Sequence, residues 1–130
     1  MSDSFGRILI VDDDEAIRTV LVELLERKGY DTMALVDAAP IREVNLDEID
    51  LIVTDLAMPT SGEGLIEEVR SRGFGGPIVV LTGVLDDKDA EHLMAIGADR
   101  VLQKPIRIAA LLSTVELFLS PGVEEETSEP

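Results

Sequence analysis

Hydrophobic and polar positions follow two different periods along this chain, and the two periods alternate. Short, continuously apolar runs rich in β-branched residues indicate strands buried on both faces, as in parallel sheets. Longer stretches with apolar residues three and four positions apart, several of them closed by a glycine, indicate amphipathic helices. The predicted strands are residues 7–11, 31–36, 50–54, 77–81 and 100–103. The predicted helices are residues 14–28, 38–46, 63–72, 86–96 and 106–119.

This alternation of strand and helix predicts an α/β fold with a single doubly wound parallel sheet and helices on both faces. The length of 130 residues fits one domain, and the sequence shows no internal repeat or linker. We expect an N-terminal extension over residues 1–6, the folded domain over residues 7–120 and an acidic tail over residues 121–130. The tail is too polar to pack against a core and is predicted to be disordered.

The charge balance limits the classes of partner. The net charge is −16, and without residues 124–130 the chain still has 23 acids against 11 bases. Such a field repels nucleic acid backbones and anionic lipid, so neither nucleic acid nor a membrane is an expected partner, although excess acid also serves solubility. The chain has no cysteine, which excludes disulfides and Cys-ligated zinc. No apolar run reaches the ~18 residues of a membrane span, and the N-terminus lacks signal-peptide character, so we expect a cytoplasmic location.

Polar residues follow the carboxyl ends of the predicted strands, where open parallel sheets bind ligands. They are Asp12, Asp13 and Asp14 after the first strand, Asp37 after the second, Asp55 after the third, Thr82 and Gly83 after the fourth, and Lys104 and Pro105 after the fifth. Each has a structural interpretation by itself: Asp14 suits a helix N-cap, and the other acids suit turns. His92, in the middle of a predicted helix, favours an exposed structural role.

The acids indicate a cation site if the first and third strands are neighbours. Asp12, Asp13 and Asp55 would then crowd together, and two unit charges ~4 Å apart repel by ~4 kcal/mol at an effective dielectric of ~20. Either a proton or a cation relieves that repulsion, and an all-oxygen site with few carboxylates suits Mg²⁺. Lys104 supplies a point charge for a phosphate oxygen. A carboxylate beside both cations can act as a nucleophile and form an aspartyl phosphate.

Four segments in this order resemble the receiver domain of bacterial two-component response regulators, including the chemotaxis regulators. The segments are ILIVDDDEAIR (8–18), VTDLAMP (53–59), VVLTG (79–83) and ADRVLQKP (98–105). The resemblance runs from about residue 7 to residue 119. It implies a flavodoxin-like sheet of five parallel strands in the order 2-1-3-4-5, with five surrounding helices.

The resemblance also implies a role for each acid. Asp55 would be the phosphoacceptor, taking a phosphoryl group from a sensor histidine kinase or a histidine phosphotransfer protein. Asp13, Asp55 and the backbone carbonyl of Ala57 would bind Mg²⁺, and Asp12 would act mainly through a water molecule. The chain would thereby catalyse its own phosphoryl transfer without being a classical turnover enzyme.

The remaining roles concern switching and output. Lys104 would contact the phosphoryl group, Thr82 would swing to hydrogen-bond it, and Pro105 would follow a cis peptide that places Lys104. A stand-alone receiver would signal through protein contacts, with a downstream target on the face between Asp86 and Leu119. Dimerisation on phosphorylation is left open.

Two departures from the family pattern, and two further positions, affect the expected behaviour. Val101 occupies a position where members usually carry Tyr or Phe, so the coupling from Thr82 to an aromatic ring is in doubt. Glu63 replaces a usual glycine between Gly62 and Gly64, which indicates a loop rebuilt by one residue. Small apolar residues, Ala57 and Val84, stand at the two positions that tune dephosphorylation in the family, so we expect slow autodephosphorylation.

Three other functions share parts of this pattern. A haloacid-dehalogenase-like phosphatase needs a second acid two residues after the nucleophile, where Ala57 stands. A flavodoxin-like flavin carrier needs hydroxyl and glycine donors after the first strand, where the DDDE run would repel the flavin phosphate. A degenerate receiver would act as a phosphorylation-independent protein-binding scaffold, and Val101 keeps that alternative open.

Overall fold

One parallel sheet organises the computed structural model, which describes residues 6–57, 61–83 and 86–119. Its strands are β1 (Arg7–Val11), β2 (Asp31–Leu35), β3 (Leu51–Asp55), β4 (Ile78–Thr82) and β5 (Arg100–Gln103). The α-helices within these residues are α1 (Glu15–Arg27), α2 (Gly62–Ser71), α3 (Asp87–Ile96) and α4 (Ile108–Leu119). The strands lie in the order β2-β1-β3-β4-β5, and every neighbouring pair is parallel. The predicted α/β fold and strand order are confirmed.

Strand residues alternate between two hydrophobic cores, one on each face of the sheet. On β1, Ile8 and Ile10 face the core formed with α1 and α4, whereas Leu9 and Val11 face the core formed with α2 and α3. All four side chains are fully buried. Because both faces are covered, the central strands are buried at nearly every position, and their apolar runs are the pattern that predicted a parallel sheet.

The prediction of five helices is wrong at residues 38–46. This part of the chain forms two short 3-10 turns, Ala39–Glu43 and Leu46–Glu48, so the described residues contain four α-helices. Pro40 offers no backbone donor, Val44 is extended, and the Asn45 side chain accepts a hydrogen bond from the Asp47 N–H and starts a new turn. The Arg72 guanidinium donates to the carbonyls of Ile41 and Val44, at 2.8 Å each, and holds the segment in this conformation.

The helices otherwise lie within two residues of their predicted bounds. Asp14 caps α1 as predicted, because its side chain accepts hydrogen bonds from the N–H groups of Ala16 and Ile17. Among the described helices, none combines the length and the apolar character that a membrane span requires. The predicted tail at residues 121–130, and all but Gly6 of the predicted extension, lie outside the described residues and stay predictions.

Candidate functional site

The site is built at the carboxyl edge of the three central strands. β1 and β4 both pair with β3, so the residues that follow or end these strands meet at one edge. Asp12 follows β1, Asp55 ends β3 and Thr82 ends β4. The backbone N–H of Lys104 donates to the Thr82 carbonyl at 2.7 Å, which attaches the end of β5 to the same edge. The sheet therefore gathers side chains that are far apart in sequence.

Three carboxylates form an acid cluster at this edge. One side-chain oxygen from each of Asp12, Asp13 and Asp55 lies within 4.8 Å of the others. Asp12 is completely buried and Asp55 is 4% exposed, whereas Asp13 is exposed. The other strand-end acids have different places: Asp14 caps α1, and Asp37 is outside this group. The crowding predicted from the sequence is thus confirmed for the three acids.

Lys104 supplies the compensating charge. Its Nζ lies 3.2 Å from Asp55 Oδ1 and 3.5 Å from Asp12 Oδ2. Burial by itself lowers the pKa of Lys104, but attraction to Asp12 and Asp55 outweighs burial and raises that pKa above its usual value. The ammonium therefore stays charged at neutral pH, and one positive charge faces two buried carboxylates.

Asp12 is held by the chain on several sides. Its side-chain Oδ1 accepts the Asp14 N–H at 2.9 Å, and its own N–H donates to the Leu35 carbonyl at 3.1 Å. Burial raises the pKa of Asp12, and the charge of Asp55 adds to that effect, while the Asp14 N–H and Lys104 oppose it. Its Oδ2 is buried and accepts no hydrogen bond within the described residues, with the Lys104 ammonium only at ion-pair distance.

The carboxylate oxygens of this cluster are suitable ligands for a magnesium ion. A buried carboxylate oxygen without a hydrogen bond is costly, and here it lies in a group of oxygens from three acids. A hard cation with oxygen ligands would satisfy all of them, and Mg²⁺ binds through one or two carboxylates while it keeps several waters. The residues present are therefore compatible with the ion that the sequence predicted.

The remaining residues singled out from the sequence lie in different parts of the molecule. Ala57 is exposed on the loop after β3, and the Lys104–Pro105 peptide is cis. Val101 pairs with Val80 and packs, partly buried, against the core on the α2 and α3 face. His92 is exposed and lies 3.5 Å from Glu63, outside the acid cluster. Val84 lies outside the described residues.

Gly62 is a functional-site residue that sequence reasoning named without giving it a role. A Cβ added at Gly62 would lie 2.5 Å from the Asp55 carbonyl oxygen and 3.0 Å from the Leu56 Cα, whereas one added at Gly64 would contact nothing. The Gly62 N–H also donates to the Leu56 carbonyl at 3.2 Å. The helix α2 therefore approaches the backbone at the end of β3 through Gly62. The sequence signal for this close approach was a glycine directly after Ser61, at the first position of α2.

Comparison with known proteins places this arrangement in a family. The family model described as the response regulator receiver domain matches residues 8–116. The transcriptional regulatory protein FixJ of Azorhizobium caulinodans is 36% identical over 92% of this chain and 58% of its own length. The DNA-binding transcriptional regulator NtrC of a Bradyrhizobium strain is 33% identical over 95% of this chain and 26% of its own length. The chain thus spans about half, or less, of the length of these curated relatives.

Solved structures agree with the sequence comparison. The CheY-like receiver domain protein of Methanospirillum hungatei has a TM-score of 0.80 and 28% identity, covering 94% of this chain and 99% of that one. The receiver domain of the Francisella response regulator 1452 has a TM-score of 0.80 and 26% identity, covering 88% and 97%. The fold, the acid cluster with its lysine, and these similarities together show that the chain belongs to the response regulator receiver domain family.

Proposed function

We propose that this receiver takes a phosphoryl group on Asp55 from a phosphohistidine in a Mg²⁺-dependent reaction. The observation that carries the proposal is the position of Asp55. It is a buried strand-terminal carboxylate 3.2 Å from an ammonium, in a cluster with Asp12 and Asp13. A rigid sheet edge holds this nucleophile still, so catalysis rests on positioning and charge neutralisation.

The proposed transfer moves the phosphoryl group from a nitrogen atom to an oxygen atom. An Asp55 carboxylate oxygen attacks phosphorus, and a P–O bond forms as the P–N bond to the donor imidazole breaks. The imidazole nitrogen keeps the electron pair and takes up a proton. The Lys104 ammonium attracts a phosphoryl oxygen, and the Thr82 hydroxyl donates a hydrogen bond to another. Asp13, Asp55 and the Ala57 carbonyl would hold Mg²⁺, with Asp12 acting mainly through a water, and the bound ion would supply neutralisation of charge on the phosphoryl oxygens.

The partners follow from this chemistry. The donor is a sensor histidine kinase or a histidine phosphotransfer protein, and the output is contact with a downstream protein on the face built from α3, β5 and α4, between Asp86 and Leu119. Nucleic acid binding by this chain is not expected from its charge of −16. Stand-alone action, a cytoplasmic location, slow autodephosphorylation and dimerisation on phosphorylation stay predictions.

The test uses a small phosphodonor, so that no partner need be known. Incubation with acetyl phosphate and Mg²⁺ is expected to add the mass of one phosphoryl group to the intact chain. Asp55→Asn should abolish the gain, because the amide is a poor nucleophile. Asp47→Asn removes an acid from an exposed 3-10 turn and is the matched control, which should be labelled like the wild type.

Two results would contradict the proposal. Labelling that survives in Asp55→Asn would place the phosphoryl group elsewhere. A folded wild-type chain that gains no mass from acetyl phosphate, or from any purified phosphohistidine donor, would favour the degenerate scaffold, for which Val101 is the supporting observation.

A further inference from the structure

Arg18 lies behind the acid cluster and is not used by the proposed transfer. It is half-buried on the first turns of α1, and its Nη1 donates to the backbone carbonyl of Asp12 at 2.8 Å. The chain leaves the sheet at Asp12, directly after β1, so this carbonyl lies beyond the last residue of the strand. A buried carbonyl needs a partner, and the guanidinium on α1 provides it.

We propose that Arg18 is a positioning residue for magnesium binding, acting through the backbone of Asp12; this rests on the proposed function. Three of the polar groups of Asp12 are fixed: its N–H to Leu35, its carbonyl to Arg18, and its Oδ1 to the Asp14 N–H. The fixed backbone leaves Oδ2 directed toward Lys104, without a hydrogen bond in the described residues. The turn that follows carries Asp13, the exposed member of the cluster.

Geometry and charge make opposite predictions for Arg18, which makes the proposal testable. A positive guanidinium near the acid cluster opposes cation binding by its charge, so loss of that charge alone would tighten Mg²⁺ binding. Loss of the hydrogen bond leaves a buried carbonyl unpaired and releases the turn, which would weaken binding. Residues that orient metal ligands typically change metal affinity by about 10-fold or more when they are replaced.

The experiment measures Mg²⁺ affinity by titration calorimetry, with Mn²⁺ paramagnetic resonance as a second probe. Arg18→Gln is expected to bind Mg²⁺ about 10-fold more weakly, and Arg18→Lys to recover part of that loss. Arg27→Gln is the matched control, because Arg27 is exposed near the end of the same helix and its loss changes the net charge equally. It should bind as tightly as the wild type or slightly more tightly.

A second readout separates positioning from general damage. In Arg18→Gln, the Mg²⁺ concentration that half-saturates labelling by acetyl phosphate should rise, while the rate at saturating Mg²⁺ changes less than about twofold. If Arg18→Gln binds Mg²⁺ as tightly as Arg27→Gln, or more tightly, the positioning role of Arg18 is overturned. The proposed phosphoryl transfer is not affected by that result. A wild-type chain that binds no Mg²⁺ overturns this inference together with the proposed metal dependence. If Arg18→Gln does not fold, Arg18→Lys decides, and unchanged Mg²⁺ affinity in that folded variant overturns the proposal.

Discussion

At the scale of single residues, the acid cluster holds charges together at a cost to the free protein. Asp12 and Asp55 are buried with one ammonium between them, and Asp13 adds a third carboxylate within 4.8 Å. Burial of a charge without complete pairing opposes folding, and like charges at this distance repel. The proposed cation site would account for the arrangement, because the same closely spaced negative charges that repel one another attract a cation.

We therefore expect Asp13→Asn to reverse its effect on stability when Mg²⁺ is added. Asp13 is exposed, so removing its charge relieves repulsion and should raise the free energy of unfolding, by less than about 1 kcal/mol, in chelator. In saturating Mg²⁺ the wild type gains binding free energy that the variant lacks, so the variant should become the less stable of the two. Urea unfolding in both conditions checks this, with Asp47→Asn as the control. A variant stabilised equally in both conditions would separate Asp13 from metal binding.

Gly62 gives a second prediction at the residue scale. Gly62→Ala should lower the free energy of unfolding by about 1–3 kcal/mol, since its Cβ would overlap the Asp55 carbonyl and the backbone must shift. Gly64→Ala is the matched control in the same helical turn, where a Cβ meets nothing and alanine favours the helix. It should be neutral or stabilising by up to about 1 kcal/mol. Denaturant midpoints decide, and equal effects of the two substitutions would contradict the close approach.

At the scale of elements, Arg70 on α2 forms hydrogen bonds with two loops at the edge of the sheet opposite the site. The Arg70 guanidinium donates five hydrogen bonds, two to the Gly97 carbonyl, one each to the carbonyls of Phe74 and Gly76, and one to Asp99. These acceptors lie before β4 and before β5. Asp99 also accepts the Ile78 N–H, the first of β4, at 2.9 Å. The planar guanidinium has five N–H donors in a fixed geometry and can bond all of these acceptors, whereas a lysine ammonium has three donors and cannot.

Arg70→Lys should therefore be destabilising although the charge is kept. We expect a loss of about 2–4 kcal/mol in the free energy of unfolding, because several partly buried carbonyls lose their partners. Arg100→Lys, on the exposed side of β5, is the matched control and should change stability by less than about 0.5 kcal/mol. Urea unfolding gives the free energy of unfolding of both variants. If Arg70→Lys is as stable as Arg100→Lys, the two loops do not depend on the guanidinium hydrogen bonds.

At the scale of the whole molecule, two cores hold the sheet from opposite faces, and the site lies at the edge between them. Tyr30 belongs to the core on the α1 and α4 face and is 5% exposed. Burial raises the pKa of its phenol above the usual 10.0, and the nearby charge of Glu116 adds to the effect. The neutral phenol is thus the form that the folded chain prefers.

The sign of the resulting pH dependence follows from that preference. Because the folded pKa exceeds the unfolded pKa, the contribution of Tyr30 to stability is complete below pH 10.0 and is lost as pH rises through the folded pKa. Tyr30 is the only tyrosine and the chain has no tryptophan, so tyrosinate absorbance reports this group alone. We expect a higher titration midpoint in the folded chain than in urea, and a weaker loss of stability at high pH in Tyr30→Phe. Equal midpoints in both states would contradict the burial of the phenol.

The sequence by itself determined most of the elements and which side chains stand at the candidate site. Continuous apolar runs in the central strands indicated a sheet covered on both faces, and glycines and caps set most helix ends, because these signals act over a few residues. The strand-end rule selected Asp12, Asp55, Thr82 and Lys104 for the same reason, since the last residue of a parallel strand must lie at the ligand-binding edge.

Tertiary structure alone decided what depends on contacts between distant segments. The turns at residues 38–46 are 3-10 turns partly because Arg72, far along the chain, binds their carbonyls. The α2 helix approaches the backbone of Asp55 at Gly62, and α1 brings the Arg18 guanidinium within 2.8 Å of the Asp12 carbonyl. Local patterns carry no information about such distances, since burial, close approach and pairing exist only after the elements have packed.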